Sequence, residues 1–156
     1  MNERGDRAMS AVDLASPTDP AAAGGFFGGR AWLVECPRVR DERGVLQPFD
    51  FARLPFVPCR SFVVTDVPAG VVRGGHAHRA GLQMLVCVCG IIELAMRWRG
   101  EVAVHTLTPH SAALVFGPGV WCQQKYLVAG SVLLVFGSTP YDPDSCFEDG
   151  ARGTPT

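Results

Sequence analysis

A chain of 156 residues with 47% apolar residues, 18 glycines and 12 prolines is long enough for one buried core and too rich in turn formers for a helical bundle. Its formal net charge is −1 and its arginines are scattered, with Lys125 the only lysine, so no broad positive field draws it to nucleic acid or to a membrane surface. No apolar run reaches the ~18 residues of a spanning helix, and Glu3, Arg4, Asp6 and Arg7 stand where a secretory signal needs apolar residues, which points to the cytoplasm.

In chain order, residues 1–28 are rich in Ala, Gly, Pro, Ser and Asp and end in GGFFGG. They read as a disordered leader, with Phe26 and Phe27 part of a mobile tail. A single domain is expected over 29–148, with a tail at 149–156 whose character begins near Pro143. AWLVECPRV opens a series of short runs of strand formers, followed by DERG as a turn and by VLQPFDF. LPFVP supports at most a turn. SFVVTDV is ended by Pro68-Ala69-Gly70, and LQMLVCVCG and IIELAMRW follow. In the latter, Ile92, Leu94, Met96 and Trp98 alternate with Glu93, Ala95 and Arg97, the period of a strand with one buried face. VAVHTLT, AALVFG and SVLLVFG complete the set. Short strands separated by turn signals, with no amphipathic helix between them, predict an all-β sandwich, barrel or jelly roll. The nearly unbroken apolar runs LQMLVCVC and SVLLVF predict strands covered on both faces, by a second sheet or a partner subunit.

The cysteines at 36, 59, 87, 89, 122 and 146 contain no C-x-x-C pair and match no zinc knuckle or disulfide scaffold, so they read as reduced thiols. Cys87 and Cys89 share a strand face and are expected in the core. His105 and His110 are expected at the surface.

The stretch RGGHAHRAGLQ, Arg73–Gln83, carries the chemistry. On a strand, residues two apart face the same side, so His76 and His78 point one way and Ala77 the other. The order Gly70, His76, His78, Gln83, Gly90 is similar to the first cupin motif, with glutamine where metal cupins carry glutamate. FGPGVWCQQ, Phe116–Gln124, resembles the second motif, with Cys122 where metal cupins place a third histidine. A narrower resemblance, carried by RGGHAH, PGVW, SVLLVFGS and Tyr141-Asp142, is to the nucleotide-sugar 3,4-ketoisomerases, cupins that act on TDP-4-keto-6-deoxyglucose.

That resemblance implies a cupin jelly-roll β-barrel, a homodimer, and isomerisation of a TDP-linked 4-keto-6-deoxyhexose through an enediol, with no metal or redox cofactor, in deoxysugar biosynthesis. It implies His76 as the catalytic base and His78 as its partner in proton relay, roles that suit an imidazole of pKa about 6.5. Arg73 is the candidate to polarise a sugar oxygen or hold a phosphate, and Arg60 and Gln83 are candidates for the cavity wall. Trp121 either stacks on the nucleotide base or belongs to the core. Two departures stand out. The family's Arg-x-Tyr-Tyr segment reads Arg60-Ser61-Phe62-Val63 here, and Cys122 occupies a usual histidine position. Two other readings remain open at this point: a metal-dependent cupin enzyme using His76, His78 and Cys122, and a repurposed cupin that binds sugar or acts as a cyclase or isomerase on another scaffold.

Overall fold

The computed structural model describes residues 24–148. Most of the leader and all of the 149–156 tail lie outside the described residues. The strands in chain order are β1 (Gly25–Phe26), β2 (Ala31–Val34), β3 (Val39–Asp41), β4 (Gly44–Leu46), β5 (Arg60–Val64), β6 (Val72–His78) and β7 (Gln83–Cys89). They continue as β8 (Ile92–Trp98), β9 (Glu101–Leu107), β10 (Ala113–Phe116), β11 (Trp121–Tyr126), β12 (Val132–Gly137) and β13 (Cys146–Phe147). The described helices are three single turns of 3₁₀, so the all-β expectation holds.

The strands form a six-stranded sheet, β1-β2-β10-β7-β12-β5, and a five-stranded sheet, β13-β6-β11-β8-β9, with β3-β4 as a separate hairpin. All the pairings are antiparallel. Among the described residues no ladder joins the two larger sheets, so the jelly roll is a two-layer sandwich, not a closed barrel. Ile92, Leu94 and Met96 of β8 are wholly buried, as the period-two pattern predicts, and face Leu85, Leu114, Leu133 and Val135 of the opposite sheet.

The apolar strands β7 and β12 are covered on both faces. Their inner face meets the second sheet. Their outer residues, Met84, Val86 and Phe136, pack with Trp32, Val34 and Val115 under Phe49, Leu54 and Phe56. This cover comes from the chain itself. VLQPFDF ends its strand at Leu46, ahead of Pro48, which has no N–H for a ladder. The chain then makes a 3₁₀ turn at Phe51–Arg53, capped where Asp50 Oδ1 accepts from the Ala52 N–H at 3.1 Å. Cys87 is buried as expected, but Cys89 is exposed. A register shift between Val132 and Leu133 separates the two cysteines' pairings and breaks their common face.

The structure corrects the reading of both chain ends. Gly25 and Phe26 pair with Trp32 and Ala31, and Phe27 sits in the core at 6% exposure, so GGFFGG is part of the domain. The large apolar rings outweigh the turn-forming glycines around them, since burying one is worth ~2–3 kcal/mol. Phe27→Ala is expected to cost about 3 kcal/mol, measurable as a lower midpoint in urea with an unchanged slope. At the other end, Pro143–Ser145 forms a 3₁₀ turn and Cys146–Phe147 pairs with His78 and Ala77. His105 also departs from its expected surface position. It is half-buried with its ring 6.0 Å from that of Phe26, and Nε2 has no hydrogen-bond partner. His110 is exposed, with its Nδ1 3.1 Å from an Arg38 nitrogen.

Candidate active site

A cavity of about 570 Å³ opens between the two sheets, within the range of small-molecule sites. Strand β6 supplies Arg73, His76 and His78 to its wall, β5 supplies Arg60 and Phe62, and β7 supplies Gln83. The glycines of RGGHAH account for the local geometry. Gly74 and Gly75 have φ of +75° and +81°, in the left-handed region, and the β6–β11 register shifts opposite them. A Cβ on Gly74 would stand 2.9 Å from Gln124 Nε2 and 3.0 Å from the Cys122 carbonyl oxygen. The glycine pair lets β6 bend closely over β11 and deliver both histidines into the cavity.

His76 and His78 lie edge to face, with ring centroids 5.0 Å apart. Their surroundings differ. His78 is 8% exposed and its Nε2 is 2.7 Å from Gln83 Nε2. With the amide N–H donating, Nε2 is the acceptor and the ring proton resides on Nδ1, which is 3.6 Å from Cys146 Sγ. Burial, and then the nearby His76 and Arg60, push the His78 pKa down to about 4, so the ring is neutral at neutral pH. Neither ring nitrogen of His76 has a hydrogen-bond partner among the described residues.

The depressed pKa has a consequence for stability. Between about pH 6.5 and 4 the unfolded chain takes up a proton at this position that the folded chain refuses, so stability falls as the pH falls through that window. The loss at pH 4.5 is expected to be on the order of 2–3 kcal/mol. Burial lowers the His105 pKa too, with the same sign. Urea unfolding at pH 7 and pH 4.5 measures the loss, and His78→Gln is expected to reduce it.

Arg60 lies against Gly137 and faces Tyr141 and Phe62, with its guanidinium carbon 5.4 and 5.5 Å from their ring centroids. Its Nε is buried without an acceptor, a donor available to an anion entering the cavity. Arg73 is exposed at the rim.

Two motif residues whose place the sequence left open, Trp121 between nucleotide base and core and Cys122 between metal ligand and packing, do not line the cavity. Trp121 is buried beneath the Arg97 guanidinium, 4.6 Å from the ring centroid, and does not line the cavity. Cys122 packs in the main core, and burial pushes its pKa up to about 12. The donor set of the alternative metal-dependent reading, His76, His78 and Cys122, is therefore not assembled. The cupin metal positions do not fit a metal here, because one holds the neutral amide of Gln83, engaged with His78, and another a thiol sealed in the core. The donor atoms that do converge are those of His76, His78 and Cys146, all within 4.8 Å of one another.

The cavity also contains Gln124, Tyr141, Asp142 and Cys146. Gln124 was legible, since it lies two residues beyond Cys122 on one strand and therefore on the same side. Cys146 carried no signal, because a single cysteine in a polar, proline-containing run reads as a tail.

Residues 30–152 match the family described as FdtA, WxcM-like, C-terminal. The chain is 27% identical over 111 residues to TDP-4-oxo-6-deoxy-α-D-glucose-3,4-oxoisomerase of Aneurinibacillus thermoaerophilus, covering 70% of this chain and 80% of that one. Among solved structures it is similar to QdtA, a sugar 3,4-ketoisomerase from Thermoanaerobacterium thermosaccharolyticum in complex with TDP. The identity there is 28% and the TM-score 0.73, over 77% of this chain and 88% of that one. The TDP-quinovose 3,4-ketoisomerase WlaRB from Campylobacter jejuni shares the fold at 24% identity and a TM-score of 0.72, over 79% of this chain and 98% of that one.

Proposed function

This chain belongs to the FdtA family, the WxcM-like C-terminal domains, and on that premise we propose that it moves the ketone of a TDP-linked 4-keto-6-deoxyhexose from C4 to C3. It is an isomerase of deoxysugar biosynthesis, as its relatives are. The observation that carries the residue assignment is the unequal histidine pair: His78 is engaged on both ring nitrogens, while His76 has both of its own free for substrate.

His76 removes the proton from C3, and the electron pair of that C–H bond forms the C3=C4 bond of an enediolate. The former C4 carbonyl oxygen takes a proton to complete the enediol. Loss of the O3 proton and delivery of a proton to C4 then give the 3-keto sugar, so atoms and charge balance with no external oxidant. His78, kept neutral, serves as the relay partner. Its Nδ1–H, which faces Cys146 Sγ, turns to the developing oxyanion when the sugar enters and carries no full charge into the site. Gln83 holds the tautomer by donating to Nε2. Arg60, with its unpaired buried Nε, and Arg73 at the rim bind the diphosphate. Trp121, covered by Arg97, belongs to the scaffold in this reading. Tyr141 brings a phenol to a cavity whose wall has Phe62 in place of the family's tyrosine. The protein works in the cytoplasm as a homodimer, and the exposed Phe62 and Val63 on the edge strand β5 favour such pairing. No described helix is long and apolar enough to cross a membrane.

The test is incubation of chelator-treated protein with TDP-4-keto-6-deoxyglucose in D2O, followed by proton NMR. Loss of the C3 proton signal and growth of a 3-keto product are expected. Folded protein that exchanges nothing overturns the assignment for this substrate.

A further inference from the structure

We propose that the floor of the cavity is also a binding site for a thiophilic divalent cation of the zinc class, held by His76, His78 and the Cys146 thiolate, and that its occupancy switches the isomerase off. The donor set is one that zinc prefers, two imidazoles and one thiolate, with a fourth position open to the cavity. The spacing fits. Zinc–sulfur and zinc–nitrogen bonds of about 2.3 and 2.0–2.1 Å at a tetrahedral angle put sulfur and nitrogen about 3.6 Å apart. Cys146 Sγ and His78 Nδ1 are 3.6 Å apart, and the His76 donor lies within 4.8 Å of both. Small rotations of the His76 ring complete the set.

The site comes from the fold. His78 and Cys146 are directly paired across β6 and β13, and His76 stands one pleat along β6 on the same side. When Nδ1 binds the metal, the ring proton moves to Nε2. Gln83 then accepts it by turning its amide oxygen toward the ring, the outer-shell bond that ligating histidines ordinarily make. Cys146 gives its proton to solvent as the metal–sulfur bond forms. Arg60 faces the same cavity and opposes a cation, and the thiolate cancels one unit of the metal's charge. The cation takes the one basic lone pair of the neutral His76 ring, whose other nitrogen carries the N–H, so proton abstraction stops. The switch rests on the isomerase reading, whereas the binding does not.

The experiment separates the two. Chelator-treated full-length protein is titrated with Co²⁺ while the thiolate-to-cobalt charge-transfer absorption is followed, and Zn²⁺ is then added. The expected result is a band that saturates at one equivalent, is abolished by zinc, is absent in Cys146→Ser and in Cys146→Ala, and persists in Cys122→Ser. No band in the wild type, or a band that survives both Cys146 substitutions, overturns the site. In the D2O assay, stoichiometric zinc is expected to stop exchange in the wild type and chelator to restore it. Exchange that continues with zinc bound overturns the switch. If cobalt binds through Cys146 but the sugar is not turned over with or without metal, the site stands and the isomerase reading fails with the switch.

Discussion

Replacement of His76 by asparagine is expected to lower turnover by roughly 10²–10⁴-fold, the range for loss of a positioned general base, while leaving TDP binding unchanged. Asparagine keeps much of the shape of the ring and a hydrogen-bonding end but cannot accept the C3 proton. The neighbouring His78 is a poor substitute. Both of its nitrogens are engaged, and its depressed pKa of about 4 makes it a weaker base than an ordinary imidazole. Deuterium incorporation at C3, followed by NMR, reads the chemical step. Calorimetry with TDP reads binding in the same preparation. A variant that still exchanges C3 at the wild-type rate would move the base elsewhere, with His78→Asn as the next substitution to make. Reduced TDP affinity with undiminished exchange would assign His76 to binding.

The substitution with the largest expected effect on stability is Gly90→Ala, at the turn between β7 and β8. Gly90 has φ of +83°, a conformation that costs a side-chain-bearing residue about 1–2 kcal/mol. A Cβ there would also stand 2.6 Å from the Cα of Ser131, which is backbone and cannot rotate away. Ser131 is itself fully buried, with its hydroxyl donating to the Val128 carbonyl at 2.7 Å and accepting from the Ile91 N–H at 3.2 Å. Relieving the clash means parting the β7–β8 turn from the start of β12, so the total expected loss is about 3–5 kcal/mol, a large share of the ~5–15 kcal/mol that holds a domain folded. Gly100→Ala is the control. It has φ of +85° but open space around its would-be Cβ, so it bears only the conformational cost. Equal losses in urea unfolding for the two variants would mean that the Ser131 contact contributes nothing.

The same glycine illustrates what a sequence can carry. Gly90 was visible as the last element of a spaced motif, and its position there was informative, but the reason for it is Ser131, a residue 41 positions later at the entry to β12. The all-β class, the alternation of β8 and the two-sided cover of β7 and β12 were all legible, because strand periodicity and apolar runs are local properties of the chain. The histidine pair was legible too, since residues two apart on a strand share a face whatever the rest of the protein does.

What lay beyond local pattern was the content of the site's third dimension. Cys122 and Trp121 sit at motif positions, yet burial against the opposite sheet takes the thiol into the core, and Arg97 on the neighbouring strand covers the indole. Cys146, with no motif around it, reaches the cavity floor because β13 pairs with β6 across 68 residues of chain. The residue types and the face they share along one strand were determined by the sequence itself. Which side chains meet across strands, and that His78 is held neutral, were decided by tertiary structure, because burial and long-range pairing set those contacts and the protonation state that follows from them.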